Sequence, residues 1–276
     1  IKREKFSSIT ESSILWSKPI FRGVASLYEA MKMGMSTLQW SADISYPEES
    51  NDGLLSKVLD FITTIFSIML AISLFMILPM WLTTKLLSIE KEALWFNLSS
   101  GSFRIAFFVL YLFLISKIKD IARLFQYHGA EHKVVYNFES GKDLSVKEAQ
   151  TFPTQHPRCG TSFMFIVLLS AIFVFAIVDT IIIYYFGTIS LSIRLLTHLP
   201  LIPIVSGIGY ELIKITSKNN LLIFQILKAP GILLQNITTK QPDDKMVEVS
   251  IAALEDAFGE EYENFRGKKF TAEAIG

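Results

Sequence analysis

The chain has 276 residues, 51% of them hydrophobic and 13% aromatic, with a mean hydropathy of +0.41. This is more apolar than an ordinary soluble domain, and the excess is gathered in blocks, as a bilayer requires. With 26 basic and 26 acidic residues the formal charge is zero, so the positive field on which nucleic-acid binding draws is missing and no nucleic-acid partner is expected. The single cysteine, Cys159, excludes an intrachain disulfide and leaves a thiol for packing, reactivity or metal.

The chain opens on Ile1, and an amino-terminal piece is expected to precede it; residues 2–16 are polar and do not read as the apolar core of a signal peptide. Residues 20–40 place Phe21, Val24, Leu27, Tyr28, Met31, Met35 and Leu38 at helical spacing, which predicts an amphipathic helix lying on the membrane surface or packed on the bundle. The uncharged run 61–82 is long enough to cross about 30 Å of hydrocarbon and is the first span. Residues 103–118 form a shorter second span, with Arg104 near its start and Lys117 near its end, where long basic side chains reach the headgroups. The third span is 162–186, apolar except for Asp179. The fourth, 193–213, contains Pro200, Pro203, Gly207 and Gly209 and is expected to cross as a kinked or broken helix. Residues 221–237 are apolar but interrupted at Pro230-Gly231 and suit the membrane surface or packing on the bundle. A short helix at 245–258 reads as part of a cytoplasmic appendage of marginal stability.

The expected class is therefore an all-α membrane protein with about four transmembrane helices, interfacial amphipathic helices and a cytoplasmic tail. Its regions are 1–60, a cytoplasmic or interfacial helical segment; 61–118, a transmembrane hairpin; 119–161, a polar loop; 162–213, a second hairpin; and 214–276, an interfacial helix and tail. Seven basic residues precede the first span, seven lie in 117–158 and eight from Lys214 onward. The connection 83–102 has only Lys85 and Lys91, and 187–192 has none. By the positive-inside rule both termini and the middle loop are expected in the cytoplasm.

The chemistry concentrates in that middle loop. In Tyr127-His128-Gly129-Ala130-Glu131-His132-Lys133, a continuing helix puts His128 and His132 one turn apart on one face, with Glu131 beside them. H-x-x-E-H is the inverted zincin pattern, in which two imidazoles hold a metal and the Glu takes a proton from the attacking water. A second cluster, His156-Pro157-Arg158-Cys159-Gly160, precedes the third span, and the flanking spans return both clusters to one membrane face. Three of the four histidines and the only cysteine thus fall in two short stretches, and His with Cys is a zinc-type ligand mixture. Binding by His128, His132, His156 and Cys159 together would make a closed structural site; three ligands would leave a position for water, with Glu131 as base. Arg158 and Lys133 are expected as solvated or headgroup-facing charges. Asp179 with Arg194, and Glu211 with Lys214, are expected near opposite span ends, which leaves only His198 deep.

The strings YHGAEHK and HPRCGTSF, joined by a loop with Gly141-Lys142-Asp143-Leu144-Ser145, resemble the signature of the YqhQ-like family of bacterial membrane proteins. Pro19-Ile20-Phe21-Arg22-Gly23-Val24, residues 203–214, and Gln241-Pro242-Asp243-Asp244 with 247–254 are similar to it as well. The resemblance implies a multi-pass protein of the bacterial inner membrane and a metal-dependent enzyme, with His128, Glu131, His132, His156 and Cys159 as the residues carried over.

Two readings stand open. In one, a zinc site on the cytoplasmic face hydrolyses a membrane-associated substrate. In the other, the metal staples the loop of a homo-oligomeric scaffold, channel or pore, for which small residues such as Gly207 and Gly209 suit helix contacts. A secondary transporter is disfavoured by four spans and the lack of an internal repeat.

Overall fold

The computed structural model describes residues 7–45, 54–157, 159–218 and 221–269. Among these it is helical throughout, with no strand. In order come α1 (Ile9–Ser12), α2 (Phe21–Ser45), α3 (Leu54–Ile72), a π-helical turn (Ser73–Ile77), α4 (Leu78–Leu87) and α5 (Ala93–Ile115). Then follow α6 (Lys119–Glu139), α7 (Val146–Ala149), α8 (Gly160–Phe186), α9 (Leu191–Lys218), α10 (Leu222–Thr238), α11 (Asp244–Phe258), a 3-10 turn (Gly259–Glu261) and α12 (Tyr262–Phe265).

Four helical stretches are long and apolar enough to cross a membrane: Val58–Leu87, Ala93–Ile115, Gly160–Phe186 and Leu191–Thr216. The protein is an all-α membrane protein. The second span begins ten residues before the expected 103. Its first half holds Asn97, Ser99, Ser100, Gly101 and Ser102, which depress hydropathy, yet Asn97 and Ser100 are buried inside the bundle rather than turned to lipid. The fourth span is one continuous helix through Pro200 and Pro203, not a broken one.

The chain divides into two compact units, one of Ile1–Phe107 with Val167–Glu211, the other of Phe108–Ile166 with Leu212–Gly276. In the first, the start of α2 is pressed onto α9. A Cβ on Gly23 would stand 2.6 Å from Cβ of Tyr210, and one on Gly207 would stand 2.4 Å from the Ile20 carbonyl, so only glycine allows the approach. Arg22 closes it by donating from Nε and Nη2 to the two oxygens of Glu211 at 2.7 and 2.5 Å. Two of the segments that carry the family resemblance are thus one contact.

The first unit also contains a buried ionic network. Asp179 accepts from Asn97 Nδ2 at 2.7 Å and faces Arg194 Nε and His198 Nε2 at 2.9 Å each. Arg194 further donates to the Glu90 carbonyl at 2.7 Å and lies over the Phe96 ring, while His198 stacks on Phe175 with centroids 4.0 Å apart. Placement at helix ends therefore does not account for Asp179 and Arg194: both are fully buried and compensate each other.

In the second unit α11 packs on α6, with Ala130, Val134, Ala149, Met246 and Val247 as the shared core. The tail helix is thus an integral part of this unit and not an appendage. Asp243 caps α11 by accepting from the Met246 N–H at 2.9 Å, and Phe138 stacks on Tyr262, so apolar contact continues past the helix.

Candidate metal centre

Helix α6 carries the first motif, and each of its residues has a separate task. Gly129 lets the chain at 238–240 cross the helix: a Cβ there would meet the Lys240 carbonyl at 2.1 Å. Lys240 fixes this crossing by donating from its backbone N–H to Phe125 O and from Nζ to Ser116 O, both at 2.8 Å. Ala130 belongs to the core against α11. Lys133 is not a solvated charge; it is 3% exposed and donates to the carbonyls of Gln150 and Phe152 at 3.0 and 2.6 Å. Burial lowers its pKa from the ordinary lysine value.

The two histidines face the same way, with ring centroids 4.5 Å apart, as a spacing of one turn demands. His128 Nδ1 lies 2.9 Å from the Thr238 carbonyl and His132 Nδ1 lies 2.5 Å from that of Thr154. A carbonyl only accepts, so each Nδ1 bears a hydrogen and each Nε2 is the atom left for other chemistry. Nε2 of His128 is 3.3 Å from Cys159 Sγ.

Cys159 sits at the mouth of α8, where its N–H donates to His156 O at 3.2 Å and its carbonyl accepts from Ser162 N–H at 3.0 Å. Burial pushes the thiol pKa up, but hydrogen bonds from His128, His132 and Thr161 outweigh it, and the pKa falls from 9.0 to about 5. The opening turn of a helix favours the same anionic form. His128 responds in the opposite sense: burial alone would lower its pKa, and the contact with Cys159 raises it. The contact therefore favours a thiolate beside an imidazolium.

The ligand atoms of His128, His132 and Cys159 all lie within 4.8 Å of one another. A tetrahedral zinc ion with nitrogen and sulfur ligands needs donors about 3.3–3.7 Å apart, so the widest pair would have to close by about 1 Å around an ion. The donor chemistry and the orientation of both imidazoles fit such a group. His156 stands outside this trio. It is buried, 5.5 Å from the His132 ring and 4.4 Å from that of Tyr136, centroid to centroid. Glu131 is exposed on α6 and, with His128, lines a cavity of about 670 Å³ walled by apolar residues of α6 and α11, among them Leu124, Val135, Val249 and Leu254. Arg158 lies outside the described residues.

Sequence reasoning missed the groups that hold the trio in place. Gln235 of α10, fully buried, accepts from His156 N–H at 2.6 Å, donates to His156 O at 2.8 Å and to Ser162 Oγ at 3.2 Å, and so fixes the turn that presents Cys159. Gly231, one turn before it, abuts Ser162, where a Cβ would come within 2.7 Å of the backbone. Thr154 and Thr238 contribute only carbonyl oxygens, which no residue type reveals. Gly129 did leave a signal, an isolated glycine inside a helical pattern.

No solved structure matches the chain. An uncharacterised protein of Bacillus subtilis (strain 168), YqhQ, is 28% identical over 251 residues, which are 86% of this chain and 76% of that protein. Residues 18–260 match the model of a family described as protein of unknown function (DUF1385), and the chain belongs to that family.

Proposed function

We propose that the protein is a membrane-anchored, metal-dependent hydrolase that acts at the cytoplasmic face on an apolar, membrane-associated substrate. The observation that carries this reading is the convergence of His128, His132 and Cys159 within 4.8 Å, with both imidazoles oriented through Nδ1 by backbone carbonyls. Metal-binding histidines are commonly held in this way, by a carbonyl or carboxylate on the ring nitrogen away from the ion. Two histidines and a cysteine suit zinc, and three protein ligands are the count of a catalytic rather than a closed site. When bound, the ion would supply Lewis acidity and make water acidic enough to attack near neutral pH.

Glu131 is the proton carrier in this reading. It stands one turn from His128 on α6 and is exposed in the wall of the α6–α11 cavity, so it takes a proton from the attacking water and returns it to the leaving group. The apolar walls of that cavity suit an acyl chain or an apolar peptide segment. The distribution of basic residues supports cytoplasmic termini and a cytoplasmic middle loop, and a Bacillus relative accords with a bacterial cell membrane.

Elemental mass spectrometry of the detergent-purified protein tests the reading. About one zinc per chain is expected in the wild type, lost in His132→Ala and in Cys159→Ala and kept in Glu131→Gln. Wild-type protein without metal would sink the reading. Loss of zinc in Glu131→Gln would make Glu131 a ligand instead of a base. A metal that only staples the loop of an oligomeric scaffold would leave Glu131→Gln indistinguishable from wild type in every assay.

A further inference from the structure

The charges in the four spans are accounted for with one exception. Asp60, Lys85 and Lys214 lie within three residues of span ends, where water and headgroups are in reach. Asp179 is paired with Arg194, and Glu211 with Arg22. Arg104 is different. It lies eleven residues into α5, about 16 Å along the helix and so near mid-bilayer, and it is 9% exposed.

Its contacts do not neutralise it. Nε donates to the Phe75 carbonyl at 2.8 Å, and the guanidinium carbon lies 5.7 Å from the Phe175 ring centroid. Phe75 sits in the π-helical turn, and the residue four positions on, which would normally donate to its carbonyl, is Pro79, which has no N–H. The helix is therefore built to offer that oxygen to Arg104. Among the described residues no carboxylate reaches the guanidinium, and Arg104 lines a cavity.

That cavity has a volume of about 310 Å³ and is walled by Ile72, Phe75, Leu168, Ala171, Ile202 and their neighbours. Arg104 is the one charged or hydrogen-bonding side chain in its lining. Leu199 and Ile202 at its rim are exposed, so it opens where lipid would be. An unpaired cation at this depth is costly, and a guanidinium fork is shaped for an oxyanion. We propose that this cavity binds an anionic amphiphile, whose carboxylate or phosphate pairs with Arg104 and whose apolar chain fills the space beside Phe75 and Ala171. This site is separate from the histidine and cysteine centre and does not depend on the function assigned to it.

The test is photolabelling of the full chain in nanodiscs of phosphatidylcholine with a diazirine analogue of oleic acid. Labelling is expected on cavity residues such as Phe75 or Ile202, and it should fall at least tenfold in Arg104→Met. Because that variant could fail for reasons of folding, wild-type protein is also labelled in competition with unlabelled oleate, phosphatidic acid and oleyl alcohol. Competition by oleate alone names a free carboxylate as the ligand, by phosphatidic acid a phosphate, and either upholds the site. Equal competition by oleyl alcohol, or undiminished labelling of folded Arg104→Met, would overturn it.

Discussion

Nε2 of His128 lies 3.3 Å from Sγ of Cys159, joining a helix that ends one stretch of sequence to the mouth of a helix that begins another. Without metal this contact favours a thiolate beside an imidazolium; in the proposed metal site both atoms would be ligands. The same geometry therefore makes predictions about the thiol in metal-free protein and about the metal in loaded protein.

The first concerns pH. Alkylation of Cys159 by iodoacetamide in metal-stripped protein should reach half its limiting rate near pH 5 rather than near 9.0, because only the thiolate reacts. Burial makes the limiting rate slow but leaves the midpoint readable. The sign for stability follows: the folded pKa lies below the unfolded one, so the thiolate's contribution is complete above the unfolded value and is lost as pH falls through about 5. For His128 the folded pKa is raised, so its contribution is complete below the unfolded value of 6.5 and is lost as pH rises through the folded one. Replacing His128 with Asn should move the alkylation midpoint upward, and zinc should protect the thiol at every pH.

Gly129→Ala puts a methyl group 2.1 Å from the Lys240 carbonyl. Either the 238–240 segment moves, taking the Thr238 anchor of His128 with it, or α6 is strained. Overpacking of this kind costs about 1–3 kcal/mol, and losing an orienting partner of a metal-binding histidine costs about 10–100-fold in metal affinity. Gly34→Ala is the control. Nothing lies within 4 Å of a Cβ at that helical position, so stability should hold or rise slightly. Thermal unfolding and zinc titration of the two variants check this; equal behaviour would show that the 238–240 crossing does not hold His128.

Gln235→Leu removes three hydrogen bonds, with the His156 N–H, with its carbonyl, which keeps the Cys159 N–H, and with Ser162 Oγ. Losing a buried hydrogen-bond partner costs about 1–3 kcal/mol. Since the turn from His156 to Cys159 is what Gln235 holds, zinc affinity should fall while the thiol becomes easier to alkylate. Gln235→Glu, which keeps the acceptor for His156 N–H, should lie between wild type and the Leu variant. A Leu variant with unchanged zinc affinity and alkylation would remove Gln235 from the support of the site.

Much of this is legible in the amino-acid sequence. Hydropathy located all four spans because lipid demands long apolar runs, and the spacing of His128 and His132 put them on one face because helices repeat every 3.6 residues. What escaped was whatever depends on a partner far along the chain. The start of α5 reads as polar because Asn97 meets Asp179 from α8, 82 residues away. Lys133 reads as solvated because the carbonyls of 150 and 152 that accept its hydrogen bonds have no side-chain signature. His156 reads as a ligand equal to Cys159, yet the turn that bonds Cys159 N–H to His156 O aims the two side chains differently, His156 onto Tyr136 and Cys159 onto His128.

The buried network of the first unit gives the last prediction. Among the described residues Asp179 is the one carboxylate that forms an ion pair with Arg194, and both are shielded from solvent. Asp179→Asn keeps the shape but strands the guanidinium, which should cost about 3–5 kcal/mol, the usual penalty for breaking one side of a buried pair. Removing both charges, in Asp179→Leu with Arg194→Met, relieves that penalty. It forfeits the bonds to Asn97, His198 and the Glu90 carbonyl, each worth about 1 kcal/mol. Thermal unfolding in detergent, followed by tryptophan fluorescence, should therefore rank wild type first, the double variant next and Asp179→Asn last. Zinc content should be unchanged in all three, because none of these residues belongs to the metal centre. A double variant less stable than Asp179→Asn would mean that the hydrogen bonds, not charge compensation, are what the network contributes.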